Sequence, residues 1–185
     1  MAKLIYSTIA SLDCFVEDAR GAFDWATPNE ELFAFINETE RPIGTYLYGR
    51  RMYETMAYWE SYEAHDGSSV EIDFAEIWRA ATKIVYSTTL TATSSERTTI
   101  EREFDVDQVL RMKETSSRDI TIGGADIASF ALSAGLVDEV QLYLTPIVVG
   151  AGKPAFSNGG HINFDLLDER RFTDGQLFLR YAVVH

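Results

Sequence analysis

Apolar, β-branched stretches alternate with amphipathic segments along most of the chain. The apolar stretches predict buried strands, at residues 3–10, 45–48, 83–88, 98–103, 119–122 and 136–144. Apolar residues at helical spacing between them predict helices, over 28–39, 50–56, 71–82, 107–113 and 125–135. Polar or Gly/Pro-rich segments predict loops, at 11–27, 60–70 and 146–160. This alternation of strands and helices is typical of an α/β protein.

Local signals place the caps and the inward faces of three helices. Thr27 is the predicted N-cap of the first helix, and Pro28 is its first helical residue. The residues predicted to face inward are Leu32, Phe35 and Ile36 in that helix, Ile72, Ala75, Ile77 and Trp78 in 71–82, and Ile127, Phe130, Ala131 and Ala134 in 125–135. Gly135 is predicted to end the last of these helices.

The order of elements over 119–144 predicts a parallel connection. A strand, the Gly123-Gly124 turn, a helix and a returning strand make a βαβ unit, whose two strands run parallel. Two further strands, at 164–173 and 176–184, flank Gly175 and predict a terminal antiparallel hairpin. Since no repeat or linker is apparent, we predict one domain over 1–185 with a mixed, mostly parallel sheet.

Composition narrows the class of protein. The 185 residues are 46% hydrophobic, which is enough for one substantial core. A formal net charge of −13 argues against general nucleic-acid binding and against a polybasic membrane anchor, while a local pocket can still attract a small anion. Cys14 is the single cysteine, the N-terminus lacks a signal-peptide layout, and no stretch is long enough for a membrane span. We therefore expect a cytoplasmic protein.

Two strand-to-helix junctions are candidate anion sites. At 122–125, unpaired helix N–H groups and glycines that admit a ligand suit a pyrophosphate, and a simple connecting turn is equally compatible with the sequence. The second junction, Gly49-Arg50-Arg51-Met52, places two arginines at a helix N-terminus, where they are unfavourable unless an anion binds. Taken alone, this junction is better explained by two solvated surface charges. Two such junctions on one parallel sheet favour a dinucleotide.

Hydroxyl and carboxyl groups supply further candidates. Ser87, Thr88 and Thr89 follow a strand, and their hydroxyls either bind an adenosine phosphate or cap their own loop. Glu31 lies beside apolar residues of the first helix. In an apolar cleft its pKa would rise and it could transfer protons, whereas in water it would only stabilise the helix N-terminus. Asp13, in the loop after the first strand, is a second candidate for proton transfer.

Several further segments contain the residue types of a phosphate-binding loop or a zinc site but not the spacing that these sites require. Residues 150–153 (GAGK) lack the Gly-to-Gly-Lys spacing of a phosphate-binding loop, and the chain has no GxGxxG. His65, His161 and His185 show no zinc-binding spacing, and Cys14 has no cysteine partner. No metal site is therefore predicted.

Several of these segments resemble known families. The stretch 122–156 (IGGADIASFALSAGLVDEVQLYLTPIVVGAGKPAF) closely resembles the reductase domain of bifunctional riboflavin-biosynthesis enzymes, and TIASLDCFVED resembles that family's first strand followed by Ser-Leu-Asp-Gly. YLYGRRMYETM, at 46–56, instead resembles dihydrofolate reductase, where a Gly-Arg turn opens the helix that holds the NADPH phosphates. The resemblance covers nearly the whole chain and implies a dihydrofolate-reductase-like three-layer α/β/α sandwich.

The resemblance implies NADPH as cofactor. The residues implied to bind it are Gly49, Arg50, Arg51, Met52, Ser87, Thr88, Gly123, Gly124, Ala125 and Asp126. Aligning Trp25 and Phe35 with dihydrofolate reductase places Glu31 at the acidic pterin-binding position, where it would bind and help protonate a ring. The implied substrate is a small heterocycle, bound also by Trp25, Phe35 and Lys153, and the implied assembly is a homodimer.

The departures from the family leave the substrate open. Cys14 and Phe15 replace a glycine and a lysine, which removes a cation expected near a phosphoribosyl substrate; Lys153 is the local candidate to replace it. We rank activity resembling 5-amino-6-(5-phosphoribosylamino)uracil reductase above dihydrofolate reductase-type activity on a pteridine. A non-catalytic NADPH-binding protein or a purely structural module would also be compatible with these sequence features.

Overall fold

The fold is built around an eight-stranded mixed sheet. The computed structural model describes residues 1–63, 68–157 and 160–184. The strands of the main sheet are β1 (Leu4–Ser11), β3 (Ile43–Gly49), β4 (Thr82–Tyr86), β5 (Thr98–Glu101), β6 (Asp119–Gly123), β7 (Glu139–Thr145), β9 (Asn163–Arg171) and β10 (Leu177–Val184). A separate two-stranded antiparallel sheet consists of β2 (Phe15–Asp18) and β8 (Gly152–Pro154).

In the described part of the chain, five α-helices pack on the sheet. They are α1 (Glu30–Glu40), α2 (Arg50–Met56), α3 (Ser69–Ala80), α4 (Val106–Thr115) and α5 (Ala125–Ser133). The strand order is β5-β4-β3-β6-β1-β7-β10-β9. The strands from β5 to β7 in that order run parallel, and β10 pairs antiparallel with β7 and β9. The predicted βαβ unit and terminal hairpin are both confirmed.

Alternate side chains of the central strands enter two separate cores. Leu47 of β3 packs on one face with Val109 of α4 and Ala128 of α5. Tyr46 of the same strand packs on the opposite face with Trp78 of α3. Because both faces are covered, the central strands carry apolar residues on both faces rather than on alternate positions only. The helices on both faces confirm the predicted three-layer α/β/α sandwich.

The first helix begins later than the sequence predicts. Asn29 is its N-cap, and its side-chain oxygen accepts a hydrogen bond from the Leu32 amide at 2.8 Å. Thr27 instead follows a short 3₁₀ turn, and its hydroxyl donates to the Asp24 carbonyl at 2.9 Å. Pro28 therefore precedes the cap rather than starting the helix. Because the Thr27 hydroxyl is already hydrogen-bonded within the 3₁₀ turn, Asn29, the next polar residue, caps the helix instead.

The inward face of α5 differs in part from the prediction. Its buried residues are Ala125, Ala128, Ser129, Ala131 and Leu132. Ala131 confirms the prediction and Ile127 is half-buried, but Phe130 is 48% exposed and Ala134 is exposed. Small residues at i, i+3 and i+4 let the helix lie close to the sheet, so the larger Phe130 packs outside, edge-on against Phe104. The helix ends before Gly135, which has a φ of 68° as a C-terminal stop requires.

Two loop predictions and one helix face are also corrected. The segments predicted as loops at 11–27 and 146–160 contain β2 and β8, which pair with each other across a long sequence separation. In α3, Ala75, Ile77 and Trp78 are buried as predicted, whereas Ile72 is half-buried and Phe74 is buried instead. Parts of the predicted loops 60–70 and 146–160, together with His65 and His185, lie outside the described residues.

Candidate functional site

Two helices begin side by side at the carboxyl ends of neighbouring strands. Gly49 joins β3 to α2, and Gly124 joins β6 to α5. Because both N-caps are glycines, no cap side chain accepts a hydrogen bond from the first amides of either helix. A Cβ atom placed on Gly124 would lie 3.8 Å from the Gly49 nitrogen, so the two helix N-termini are adjacent. Uncapped N–H groups at the positive ends of helix dipoles attract anions. The structure therefore brings the two predicted junctions together.

Steric constraints require glycine on the β6 side of the junction. Gly124 has a φ of 104°, a backbone conformation that L side chains rarely adopt. A Cβ atom on Gly123 would lie 2.9 Å from Cε1 of Tyr48 and 3.2 Å from Cγ of Met52. Glycine at these two positions therefore lets the Tyr48 ring and the Met52 side chain pack directly against the backbone of the junction.

The two predicted arginines have different partners. Arg50 donates from Nε to Glu54 Oε1 at 2.7 Å and from Nη1 to Thr89 Oγ1 at 2.8 Å. Arg51 forms a two-pronged ion pair with Glu17 of β2, at 3.1 and 3.3 Å. Arg50 therefore lies against the loop that follows β4, and Arg51 lies against the small sheet.

Ser87 caps its own loop, which is one of the two roles predicted for its hydroxyl. The hydroxyl accepts hydrogen bonds from the amides of Thr89 at 3.3 Å and Leu90 at 2.9 Å. Arg102 donates to the Ser87 and Leu90 carbonyls at 2.8 and 2.7 Å, which holds the loop in place. Thr88 is exposed on this loop, next to the Arg50–Thr89 contact. The loop thus presents Thr88 and Thr89, while the Ser87 side chain is used internally.

A cavity of about 130 Å³ adjoins the junction on the α1 and α3 face of the sheet. Gly123 and Met52 line both the cavity and the junction, so the two are continuous. Its apolar wall consists of Ile9, Ile36, Met56 and Phe74. Its polar lining consists of Ser7, Thr8, Glu40, Tyr46, Tyr48, Thr121 and Tyr143. A small, mostly apolar cleft with convergent polar groups is the usual form of a small-molecule site.

Among the described residues that line this cavity, only Glu40 carries a carboxyl group, and the sequence analysis did not predict it. Its side chain is buried at the end of α1, and burial raises the pKa of this carboxyl group to about 7, although the Tyr46 and Ser7 hydroxyls partly oppose the shift. A signal was present in the sequence, because Glu40 follows Leu32 and Ile36 at four-residue spacing and so shares their inward helix face.

Glu31 is not among the residues that line the cavity. Its carboxylate accepts hydrogen bonds from the Thr173 amide at 3.0 Å and the Thr173 hydroxyl at 2.7 Å, in the β9–β10 turn. These bonds, with a smaller effect of nearby Arg170, lower the pKa of Glu31 below its ordinary value. Of the two alternatives predicted for Glu31, these contacts favour a carboxylate that stays ionised at the helix N-terminus over one with a raised pKa in an apolar cleft, because the first turn of α1 faces the hairpin.

Asp13 ties two loops together. Its carboxylate accepts hydrogen bonds from the Ser11 hydroxyl at 2.7 Å and from the Gly150 amide at 2.8 Å. These bonds lower its pKa, the Ser11 bond most, as suits an ionised structural group better than a proton donor. The adjacent Cys14 has a φ of 61°, so the residue that replaces the resembled family's glycine occupies a conformation that glycine favours.

The predicted substrate residues Trp25 and Phe35 lie outside the cavity lining. The Trp25 indole donates to the Ala22 carbonyl at 3.2 Å in the turn that precedes α1. Phe35 packs with Phe178 of β10 and edge-on against Tyr143, which does line the cavity. Phe35 therefore supports the cavity from behind rather than forming its surface.

Lys153 and Asp126 are brought together by the fold. Lys153 lies on β8, and its ammonium group is 2.5 Å from the Asp126 carboxylate in the first turn of α5. Lys153 was predicted to bind the substrate, and Asp126 was predicted to bind the cofactor. As an ion pair with an exposed carboxylate, they offset each other's charge in this structure.

Neither a metal centre nor a membrane-spanning helix is found in the described residues. Within 1–63, 68–157 and 160–184, no group of three or more His, Cys, Asp or Glu side chains could hold a metal ion. In the same ranges, no helix combines the length and apolar character needed to cross a bilayer.

Several solved structures have a fold similar to that of this chain. A putative riboflavin biosynthesis protein from Shewanella sp. PV-4 has a TM-score of 0.76 at 20% identity, with both chains fully covered. A pyrimidine reductase-like protein from Corynebacterium diphtheriae has a TM-score of 0.69 at 16% identity, covering all of this chain and 92% of that one. RibD of Acinetobacter baumannii has a TM-score of 0.73 at 16% identity, and the match spans 58% of that longer chain. These likenesses establish a reductase-domain fold of the dihydrofolate-reductase-like type.

The family follows from the sequence comparison. The RibD C-terminal domain family matches residues 2–178, so this chain belongs to that family. The uncharacterized protein YyaP of Bacillus subtilis (strain 168) is 28% identical over 184 residues, covering 97% of this chain and 94% of YyaP. The predicted resemblance to the riboflavin-biosynthesis reductase domain is thereby confirmed.

Proposed function

We propose that this protein is an NADPH-dependent reductase of a small planar heterocycle. The observation that carries the proposal is the pair of adjacent glycine-capped helix N-termini, at Gly49 and Gly124, beside an apolar cavity with polar groups in its lining. Membership of the RibD C-terminal domain family supports a reductase. The site also lies at the carboxyl edge of parallel strands, where open α/β sheets bind ligands.

The junction fits a dinucleotide. The amides that open α2 and α5, including those of Ala125 and Asp126, would hold the pyrophosphate. A bound reduced nicotinamide supplies a hydride. The chain's own part would be to position the rings beside Gly123 and Met52, which line the cavity next to the junction, and to exclude water there.

We assign recognition of the adenosine 2′-phosphate to Arg50 rather than Arg51. Arg50 already contacts the loop that presents Thr88 and Thr89, and its guanidinium suits phosphate. Both arginines are paired with a carboxylate, Arg50 with Glu54 and Arg51 with Glu17, but Arg51 lies on the other side of the junction, against the small sheet. An arginine beside hydroxyl groups distinguishes NADPH from NADH, because NADH carries no phosphate at this position.

For the substrate, we place a pyrimidine-type ring before a pteridine. The dihydrofolate hypothesis depended on Glu31, whose carboxylate binds Thr173 in the β9–β10 turn. The phosphoribosyl group of the riboflavin precursor would need a cation, and Lys153 is paired with Asp126. We therefore favour an unphosphorylated ring, reduced at an electrophilic carbon that faces the nicotinamide.

Calorimetric titration with NADPH and NADH tests the cofactor assignment. We expect the unaltered protein to bind NADPH more tightly than NADH. Arg50→Ala should remove that preference, losing roughly tenfold or more in NADPH affinity because a charge-assisted contact is lost. Arg51→Ala is the matched control, and it should keep the preference.

Two outcomes would contradict this assignment. Failure of the folded protein to bind either dinucleotide would overturn the reductase assignment, and equal losses of NADPH affinity in both arginine variants would overturn the choice of Arg50.

A second experiment, NADPH oxidation across a panel of pterins, pyrimidines and quinones, separates an enzyme from a non-catalytic NADPH-binding protein. Binding without turnover of any member would favour the latter.

A further inference from the structure

The turn over residues 87–90, which follows β4, is closed by side chains. The Ser87 hydroxyl accepts a hydrogen bond from the Leu90 amide at 2.9 Å, whereas in an ordinary four-residue turn the carbonyl of the first residue accepts from that amide. The Ser87 and Leu90 carbonyls both accept instead from one nitrogen of Arg102, Nη1, at 2.8 and 2.7 Å. The guanidinium of Arg102 therefore joins the two ends of the turn.

The backbone next to Arg102 is fixed by the sheet. Arg102 directly follows β5, whose last residue, Glu101, pairs with Tyr86 of β4. The Glu101 carbonyl also accepts a hydrogen bond from the Ser87 amide at 2.9 Å. The side chain of Arg102 is exposed, so holding it in one rotamer costs conformational entropy, which its two charge-assisted hydrogen bonds offset.

The same turn contacts Arg50 at the start of α2. The Thr89 amide donates to the Ser87 hydroxyl at 3.3 Å, and Thr89 Oγ1 accepts from Nη1 of Arg50 at 2.8 Å. On its other side, Nε of Arg50 donates to Glu54 Oε1 at 2.7 Å. These two contacts orient the guanidinium, and its other N–H donors can then face an anion.

The ion pair with Glu54 is too weak to fix this orientation by itself. The side chains of Arg50 and Glu54 are 48% and 46% exposed, and solvent screens an exposed pair of this kind. The contact with Thr89 comes from a different element, so it restricts the guanidinium from a second direction. The orientation of Arg50 therefore depends on where the turn holds Thr89.

We propose that Arg102 is a positioning residue that sets the preference of this protein for NADPH over NADH. This role rests on the proposed function in one respect, namely that Arg50 binds the 2′-phosphate. Arg102 holds the turn, the turn holds Thr89, and Thr89 orients Arg50 toward the phosphate that NADH lacks. Because charge-assisted hydrogen bonds depend on orientation, a loosened turn weakens the binding of NADPH and leaves that of NADH unchanged.

Calorimetric titration with NADPH and with NADH tests this role. Arg102→Met removes the donors, and we expect it to lower NADPH affinity roughly fivefold, as loss of one net hydrogen bond does, with NADH affinity unchanged. Arg102→Lys should keep most of the preference, because one nitrogen makes both contacts and an ammonium group carries three N–H donors. Arg111→Met, at an exposed arginine of α4, is the matched control and should keep the preference in full.

A double-mutant cycle distinguishes positioning from direct contact with the phosphate. Thr89→Val removes the hydroxyl that Arg50 contacts. If Arg102 acts through Thr89, the double variant Arg102→Met with Thr89→Val loses no more preference than the more damaging single variant, because both changes break the same link. Additive losses would show that Arg102 acts independently of Thr89 and would overturn the inference.

An unchanged preference for NADPH in folded Arg102→Met would overturn it equally. Urea denaturation checks the fold of each variant. If Arg102→Met does not fold, Thr89→Val keeps the test decisive, because an unchanged preference in that variant also breaks the link to Arg50. The unaltered protein separates the two proposals: failure to prefer NADPH counts against the proposed function and the role that rests on it, whereas a preference that Arg50→Ala removes and Arg102→Met retains counts against the positioning role alone.

Discussion

The carboxyl groups of Asp13, Glu31 and Glu40 lie in three different environments. Asp13 accepts hydrogen bonds that join the loop after β1 to the loop before β8, and Glu31 accepts them from the β9–β10 turn, so both have lowered pKa values. Glu40 is enclosed by β1, β3 and β7 side chains, and desolvation raises its pKa to about 7. Their sequence neighbours do not explain this difference, since Glu40 lies between Thr39 and Arg41, so tertiary contacts decide which one stays protonated near neutrality.

At the residue scale, we predict that Glu40 makes folding stability fall as pH rises. The folded-state pKa of about 7 lies above the ordinary value of 4.5, so the folded protein binds more protons between these pH values. This stability is fully present below pH 4.5 and is lost as pH rises through about 7, by on the order of 3 kcal/mol.

Urea denaturation as a function of pH checks this prediction. Glu40→Gln should remove the decline between pH 4.5 and about 7, since its side chain is neutral throughout. Glu38→Gln should retain it, because Glu38 is exposed on the same helix. The same decline in Glu40→Gln as in the unaltered protein would show that another group is responsible.

At the element scale, the start of α1 depends on a single cap. Asn29 accepts the Leu32 amide at 2.8 Å and donates to Asp174 at 2.7 Å, which joins the helix start to the β9–β10 turn. We predict that Asn29→Ala lowers the free energy of unfolding by about 1 kcal/mol, as is typical for loss of an N-cap. Thr27→Ala is the control in urea denaturation and should cost less. The reverse order would restore Thr27 as the cap.

The α5 junction supports a second prediction at this scale. Gly124→Ala places a side chain at a φ of 104°, and we expect it to lower the free energy of unfolding by roughly 1–3 kcal/mol and to weaken NADPH binding. Gly160→Ala is the control, because a Cβ atom there meets nothing within 4 Å and its φ is not in the left-handed range. Chemical denaturation and calorimetry measure both effects. Equal stability of the two variants would show that an alanine at position 124 introduces no backbone strain.

At the scale of the whole molecule, the sheet ends in β9, an edge strand with exposed side chains. Leu166 and Leu167 are 52% and 46% exposed on it. The homodimer implied by the family resemblance stays a prediction, and an open edge strand is a surface through which copies can associate. We predict a dimer in sedimentation equilibrium that Leu166→Lys with Leu167→Lys converts to monomer. Leu110→Lys, at an exposed site on α4, should leave the dimer intact. A monomeric unaltered protein would contradict the prediction.

Much of the architecture follows from local sequence signals. The apolar run before Gly123-Gly124 and the return strand after α5 predict a parallel βαβ unit, and Gly175 between two strands predicts the hairpin. Both are confirmed because turn geometry and hydrophobic spacing are short-range properties. Short elements whose partners lie far along the chain are missed, as β2 and β8 show.

In the candidate site, too, local features were predictable from the sequence and long-range contacts were not. By itself, the sequence determined the two glycine junctions and their arginines, because glycine conformation and helix N-termini are encoded within a few residues. Only the tertiary structure decided that Arg50 meets Thr89, that Glu31 contacts the β9–β10 turn, and that Glu40 faces Tyr46 in a cavity. Burial and pairing depend on side chains brought together from distant strands and helices, and local spacing does not specify those partners.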